Sequence, residues 1–257
     1  KSKIVCNEFS QRKLAFHCTL MPRVANQTQC CQPRLTIRVK AMSSLRFRYQ
    51  TIEFGGIDIH LRSLRDNQEF SDDDREAADL GISSAAWPLF GIVWASGQVL
   101  AHRMLDFDIA NKRILEVGCG IALASHLLNN RNADITATDY HPEAGNFLDE
   151  NVKLNHGEHI PFVRTGWADE ESSLGKFDVI IGSDLLYESE HVDLLAHFLQ
   201  RHAAAHCEII VVDPGRGNHA RFSKKMIELG FAHSQYKPET EAYLDKPFGG
   251  QVLRYLR

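Results

Sequence analysis

The apolar residues of this chain fall into two alternating rhythms. Short apolar runs occur at Arg113–Val117, Ala133–Asp139, Ile160–Val163, Phe177–Asp184 and Glu208–Pro214. They are too short for helices and mostly lack alternation, so they read as buried parallel strands. Between them, apolar residues recur three and four apart: Leu123, Leu127, Leu128; Ala144, Phe147, Leu148, Val152; Val192, Leu195, Phe198, Leu199. That is the spacing of helices covering a sheet. Pro142 and Glu143 suit the first turn of the second of these helices, and Ser189 can cap the third. A last helix is expected from about His219 to Leu229, and Phe231–Tyr236 with Gln251–Leu256 read as a closing antiparallel pair. Strand and helix alternating in this way define a doubly wound α/β fold with no internal repeat.

Upstream, Phe47, Tyr49 and Thr51 alternate before Gly55-Gly56, and Ile57, Ile59 and Leu61 alternate after it. Gly-Gly between two alternating runs predicts a β-hairpin. Residues 66–79 are acidic (Asp72, Asp73, Asp74, Glu76, Asp79) and read as a solvated loop, because their spacing is not that of a calcium loop. Ser84–Leu105 holds Trp87, Trp94 and a helical stretch through Val99, Leu100 and Met104. The expected organisation is a leader at 1–41 outside the fold, a hairpin and acidic loop at 42–83, and the α/β domain at 84–257.

Charge sharpens this division. Residues 1–41 carry eight basic residues and one acid, a net +7, which against −4 for the whole chain leaves the remainder at −11. An acidic body disfavours nucleic acid as a partner and favours a basic, lysine-bearing protein, although a solvated acidic surface gives the same balance. The acid-poor leader has the composition of a mitochondrial transit peptide, while Met42-Ser43-Ser44 reads equally as a start. Four of the six cysteines lie in the leader and none form a Cys-x-x-Cys pair, which suits a reducing, cytoplasmic setting. No apolar run reaches membrane-spanning length. No metal is expected: His202 and His206, one turn apart, lack a third ligand nearby.

The candidate chemistry begins where the first core strand ends, at Glu116-Val117-Gly118-Cys119-Gly120-Ile121-Ala122. A strand turning through Gly-x-Gly into a helix lets the backbone approach a nucleotide-like ligand. A dinucleotide site would place a third glycine at position 123, which is Leu123. The next strand ends in Asp139, 21 residues after Gly118, a distance at which a carboxylate takes ribose hydroxyls. The fourth core strand ends in Asp184-Leu185-Leu186-Tyr187. On a doubly wound sheet that corner shares a rim with the glycine loop. The plainer reading makes Asp184 a helix cap and Tyr187 a packing residue. Asn151 and Asn155 are read as helix-end hydrogen bonders.

The Glu-x-Gly-x-Gly-x-Ala spacing resembles motif I of the seven-strand S-adenosylmethionine (AdoMet) methyltransferases, with Ala122 in place of a third glycine. Together with Trp94, Asp139, Trp167 and Asp-x-x-Tyr, it resembles the family 16 group of protein-lysine methyltransferases over about residues 85–215. The resemblance implies a Rossmann-like seven-stranded sheet with an antiparallel C-terminal strand, here preceded by the hairpin, and AdoMet as cofactor. It implies cofactor contacts at Trp94, Glu116, Gly118, Gly120, Asp139 and Trp167. It implies acceptor handling by Asp184 and Tyr187, and a protein lysine as substrate of a monomeric enzyme. Trp94 reads equally as sheet cover. Gly166 stands where relatives carry Asp or Asn, and Asp169 is the candidate substitute. The alternatives are a small-molecule N-methyltransferase, a non-catalytic AdoMet-fold binding module and an NAD-dependent oxidoreductase.

Overall fold

A computed structural model describes residues 46–257, less 67–69, 73–74, 171 and 239–241. The leader, Met42 and the acids Asp73 and Asp74 lie outside the described residues. The described residues belong to one compact unit, Met42–Arg257.

The chain opens with an antiparallel hairpin, β1 (Phe47–Phe54) and β2 (Ile57–Leu64), turning at Gly55-Gly56 as expected. The acidic stretch is not loop throughout: Glu76–Asp79 form a single helical turn, α1. Asp72 accounts for it, since its carboxylate accepts the N–H groups of Ala77 and Ala78 at 3.1 and 2.8 Å and so caps the turn. A 3-10 turn at Leu89–Gly91 leads into α2 (Ala95–Leu105).

The expected alternation follows: β3 (Arg113–Val117), α3 (Leu123–Asn130), β4 (Asp134–Asp139), α4 (Ala144–Leu154), β5 (Phe162–Arg164), β6 (Phe177–Ser183), α5 (His191–His202), β7 (Ala203–Asp213), α6 (His219–Glu228), β8 (Ala232–Tyr236) and β9 (Gln251–Leu256). The third core strand lies two residues later than the apolar run at Ile160 suggested, because Ile160 is buried beside the strand rather than in it. Ser189 does not cap α5. Glu190 occupies that position without a side-chain bond, and the entry is closed by the His191 N–H donating to the Glu188 carbonyl.

The seven strands lie in the order β5-β4-β3-β6-β7-β9-β8, with β9 antiparallel to both neighbours. Strand order reverses between β3 and β6, which run parallel with Val117 opposite Gly182. The loops after β3 and β6 therefore leave the same edge side by side, the place where such sheets bind ligands. Two apolar cores cover the faces. One joins α2, α3 and α4 to Phe54, Ile59, Leu61 and Leu64 of the hairpin; the other joins α5 and α6 to β6, β7 and β9.

Asn151 in α4 and Asn155 at its C-cap do something the sequence reading missed. Asn151 accepts the Arg62 N–H at 2.7 Å and donates to the Arg62 carbonyl at 3.2 Å. Asn155 does the same for His60, at 2.8 and 2.7 Å. Four helical residues rise about 6 Å and two strand residues about 6.6 Å, so side-chain amides one turn apart match alternate residues of a strand edge. Asn155 also makes the expected helix-end bond, to the Asn151 carbonyl at 2.7 Å. An isolated two-stranded hairpin is marginal in water, so these amides and the apolar face hold it on α4.

Candidate active site

Gly118 and Gly120 turn the chain out of β3 with φ of 58° and 52°. A side chain at Gly120 would put its Cβ 2.9 Å from the Phe90 carbonyl oxygen, so the 3-10 turn rides directly on the loop. A Cβ at Gly118 would stand 2.6 Å from Leu185. Leu185, the residue after Asp184, thus packs onto the glycine loop, and the two motifs interlock. Ala122 takes the left-handed conformation expected of the missing glycine, φ 57°.

The carboxylates around this loop are committed in different ways. Asp139 accepts the Gly120 N–H through one oxygen and the His141 N–H through the other, both at 2.8 Å. Burial raises its carboxyl above the usual range. Each oxygen keeps acceptor capacity beyond these bonds. Glu116 is 3 % exposed, and its Oε2 accepts the Ser125 N–H at 2.9 Å and the Ser125 hydroxyl. Its first task is thus to tie β3 to the first turn of α3. Burial pushes its pKa up to about 7.

These residues wall a cavity of about 660 Å³, within the ordinary range for small-molecule sites. Trp94, Glu116, Gly118, Gly120, Asp139, Trp167, Asp184 and Tyr187 all border it, so the structure brings every sequence-identified residue to one place. Trp94 stands at the entry to α2 with its indole N–H donating to the Leu89 carbonyl at 2.9 Å. It therefore ties the 3-10 turn to the start of α2 while its ring walls the cavity. Asp169 also borders the cavity, but its Oδ2 is bonded to the Gly166 N–H at 2.6 Å and to the Thr165 hydroxyl at 3.1 Å. It shapes the turn that presents Trp167.

Across the cavity, Asp184 sits just past β6 at φ 56°, its N–H donating to the Val212 carbonyl at 2.9 Å. It is not the cap of α5, which begins seven residues later. Its carboxylate is gripped by Arg216, Nε to Oδ1 at 2.5 Å and Nη2 to Oδ2 at 2.7 Å. Tyr187 is 47 % exposed at the rim. Its hydroxyl is pushed up to about 12, first by partial burial and then by the charges of Asp139, Glu188 and Asp184. His191 lies edge-on to both Trp167 and Tyr187, with centroids 5.8 and 6.3 Å apart. The sequence reading missed Arg216 and His191. Their signals were an arginine between two glycines after a strand-ending acid, and a histidine one turn beyond Glu188.

An α/β sheet with a glycine turn, a ribose-distance carboxylate and an acid–aromatic corner at one rim is the class of protein seen here. A family model described as lysine methyltransferase matches residues 83–228, and the chain belongs to that family. It is 31% identical over 144 residues to the electron transfer flavoprotein beta subunit lysine methyltransferase of Xenopus laevis, covering 54% of this chain and 56% of that protein. The rat counterpart is 32% identical over 147 residues, 55% of each. The protein-lysine N-methyltransferase EFM2 of Saccharomyces cerevisiae is 26% identical over 197 residues, 63% of this chain and 46% of that one. The chain thus spans about half the length of these relatives. Among solved structures, a Thermus thermophilus 16S rRNA methyltransferase in complex with AdoMet and guanosine superposes with a TM-score of 0.58 at 11% identity, over 83% of this chain and 51% of that one. A methyltransferase from Pyrococcus furiosus gives 0.51 at 18%, over 71% and 98%. At such identities the likeness is one of fold.

Proposed function

We propose that the chain is an AdoMet-dependent N-methyltransferase whose acceptor is a lysine side chain of a protein. The observation that carries this reading is the meeting of the Gly118–Gly120 turn and Asp139 with the Asp184–Tyr187 corner across one cavity. The donor set suits the cofactor. Asp139 offers acceptor capacity to ribose hydroxyls, the glycine turn admits close backbone approach, and Trp94 and Trp167 supply flat apolar walls. Bound AdoMet supplies a methyl group on a positively charged sulfur that leaves as a neutral thioether.

The chain's own residues act on the acceptor. A free lysine has a pKa of ~10.4 and attacks only as the neutral amine. Asp184 accepts an N–H of that amine and turns its lone pair into the cavity. Tyr187 keeps its proton at neutral pH, its pKa being about 12, so it offers a ring face or a hydroxyl hydrogen bond and not a base. The acceptor's proton leaves to water at the open mouth. Rate comes from positioning rather than from a strong base. Glu188 and Asp169 at the cavity wall, on a body of charge −11, favour a basic protein surface around the target lysine.

The test has two arms. Calorimetry measures AdoMet binding; absence of heat at cofactor concentrations around a millimolar removes the whole reading. Incubation of a cell lysate with methyl-labelled AdoMet, followed by mass spectrometry, identifies the acceptor. Label on protein lysine supports the proposal, and label only on small molecules or RNA overturns the acceptor assignment.

A further inference from the structure

The bidentate grip on Asp184 is the feature of the site that the reaction as described does not use. Arg216 is held in place from behind. Asp213 ends β7 wholly buried, and its Oδ2 accepts the Gly215 N–H at 3.1 Å. Gly215 and Gly217, on either side of Arg216, have φ of 98° and 92°, so the chain doubles back and sends the intervening side chain to the sheet edge. Asp184 is anchored from the same strand through the Val212 carbonyl. Its side chain is 13 % exposed against 43 % for Arg216, so the guanidinium lies outside the carboxylate. Both border the cavity.

We infer that Arg216 is a positioning residue for methyl transfer: it holds Asp184 in the one orientation that receives the acceptor nitrogen. This rests on the function proposed above. A carboxylate has about four acceptor positions. The arginine fork takes one on each oxygen and fixes the plane of the group, leaving the others for the incoming amine. Among the described residues the hydrogen bonds to the Asp184 carboxylate come from Arg216, so the fork is what fixes its orientation at this left-handed corner. The guanidinium charge also repels an acceptor that arrives still protonated. Lysine cannot replace it, since an ammonium is a point charge without the planar fork.

The experiment compares Arg216→Gln, Arg216→Lys and Arg216→Ala with Asp184→Ala. The assay uses methyl-labelled AdoMet and a protein extract as acceptor pool. For Arg216→Gln the expected result is a fall in kcat of about 100-fold, the scale of a misplaced catalytic group, with the AdoMet Kd within twofold and the melting temperature little changed. Arg216→Lys recovers only part of the loss, and added guanidinium ion partly restores Arg216→Ala. The Arg216 Nε–H NMR signal is expected to be slow to exchange and to move in Asp184→Ala. Turnover within twofold of wild type in AdoMet-binding Arg216→Gln overturns the inference, as does an Nε–H signal indifferent to Asp184. If Arg216→Gln fails to fold, the lysine variant and the NMR signal decide. Wild type that fails to bind AdoMet, or Asp184→Ala with full turnover, sinks the functional reading and the inference with it.

Discussion

Replacing Asn151 with alanine isolates the contact that attaches the hairpin. The asparagine side chain is fully buried, and its amide serves both backbone groups of Arg62 on the edge of β2 that faces α4. Alanine leaves a partly buried N–H and C=O without a partner. Each such group costs about 1–3 kcal/mol when desolvated. The surroundings admit some water, which sets the total at about 2–4 kcal/mol. In a domain of this size each kcal/mol lowers Tm by about 2–4 °C, so a drop of roughly 5–15 °C is expected. Asn155 is more exposed, and its alanine variant should cost only about 1 kcal/mol, the worth of an ordinary hydrogen bond. Urea unfolding gives the free energies, and hydrogen exchange at the His60 and Arg62 amides localises them. If Asn151→Ala unfolds with the same midpoint as the surface control Asn146→Ala, the clamp does not hold the hairpin.

Two further outcomes follow from the carboxylates. Asp139→Ala removes the acceptor proposed for the ribose and unties Gly120 and His141; at about 1.5–3 kcal/mol for hydrogen bonds to a charged group, AdoMet affinity should fall roughly 10- to 150-fold by calorimetry, and an unchanged Kd would refute the assignment. Glu116 has a folded pKa of about 7 against an ordinary 4.5, so the folded state binds its proton more tightly than the unfolded chain. Its contribution to stability is therefore present below about pH 4.5 and lost as pH rises through 7, on the order of 3 kcal/mol at 1.36 kcal/mol per pH unit. Glu116→Gln should flatten that part of the decline in urea-derived stability between pH 5 and 8, and a pH profile parallel to wild type would contradict the burial argument.

How far the sequence carried the fold depended on the range of the contacts. β3, β4 and β6 were visible because strands buried on both faces show as short runs of mainly apolar and small residues, and α3 to α5 because their apolar residues repeat every three or four. The site was visible to the same degree. Gly118, Gly120 and Asp139 lie at a spacing set by one β-α-β unit, and the reversal of strand order brings Asp184 to them without further information. What was missed was decided between segments far apart in the chain. Asn151 lay within an apolar helix face, beside Phe147, Leu148 and Val152, which marks it as buried, but its partner is 89 residues away. Arg216 reaches back 32 residues to Asp184, and no local period announces an ion pair across two loops. The cap at Ser189 failed for a local reason: α5 starts one residue later than a Ser189 cap would place it, and a backbone turn from His191 to Glu188 already serves the entry.

The most direct measurement is AdoMet binding and methyl transfer side by side in Asp184→Ala. The expected result is a Kd within about twofold of wild type and methyl incorporation reduced at least 100-fold, because the carboxylate handles the acceptor and not the cofactor. Full methyl incorporation by this variant, or loss of AdoMet binding with the fold intact, would contradict the division of the cavity into a cofactor side at Gly118, Gly120 and Asp139 and an acceptor side at Asp184.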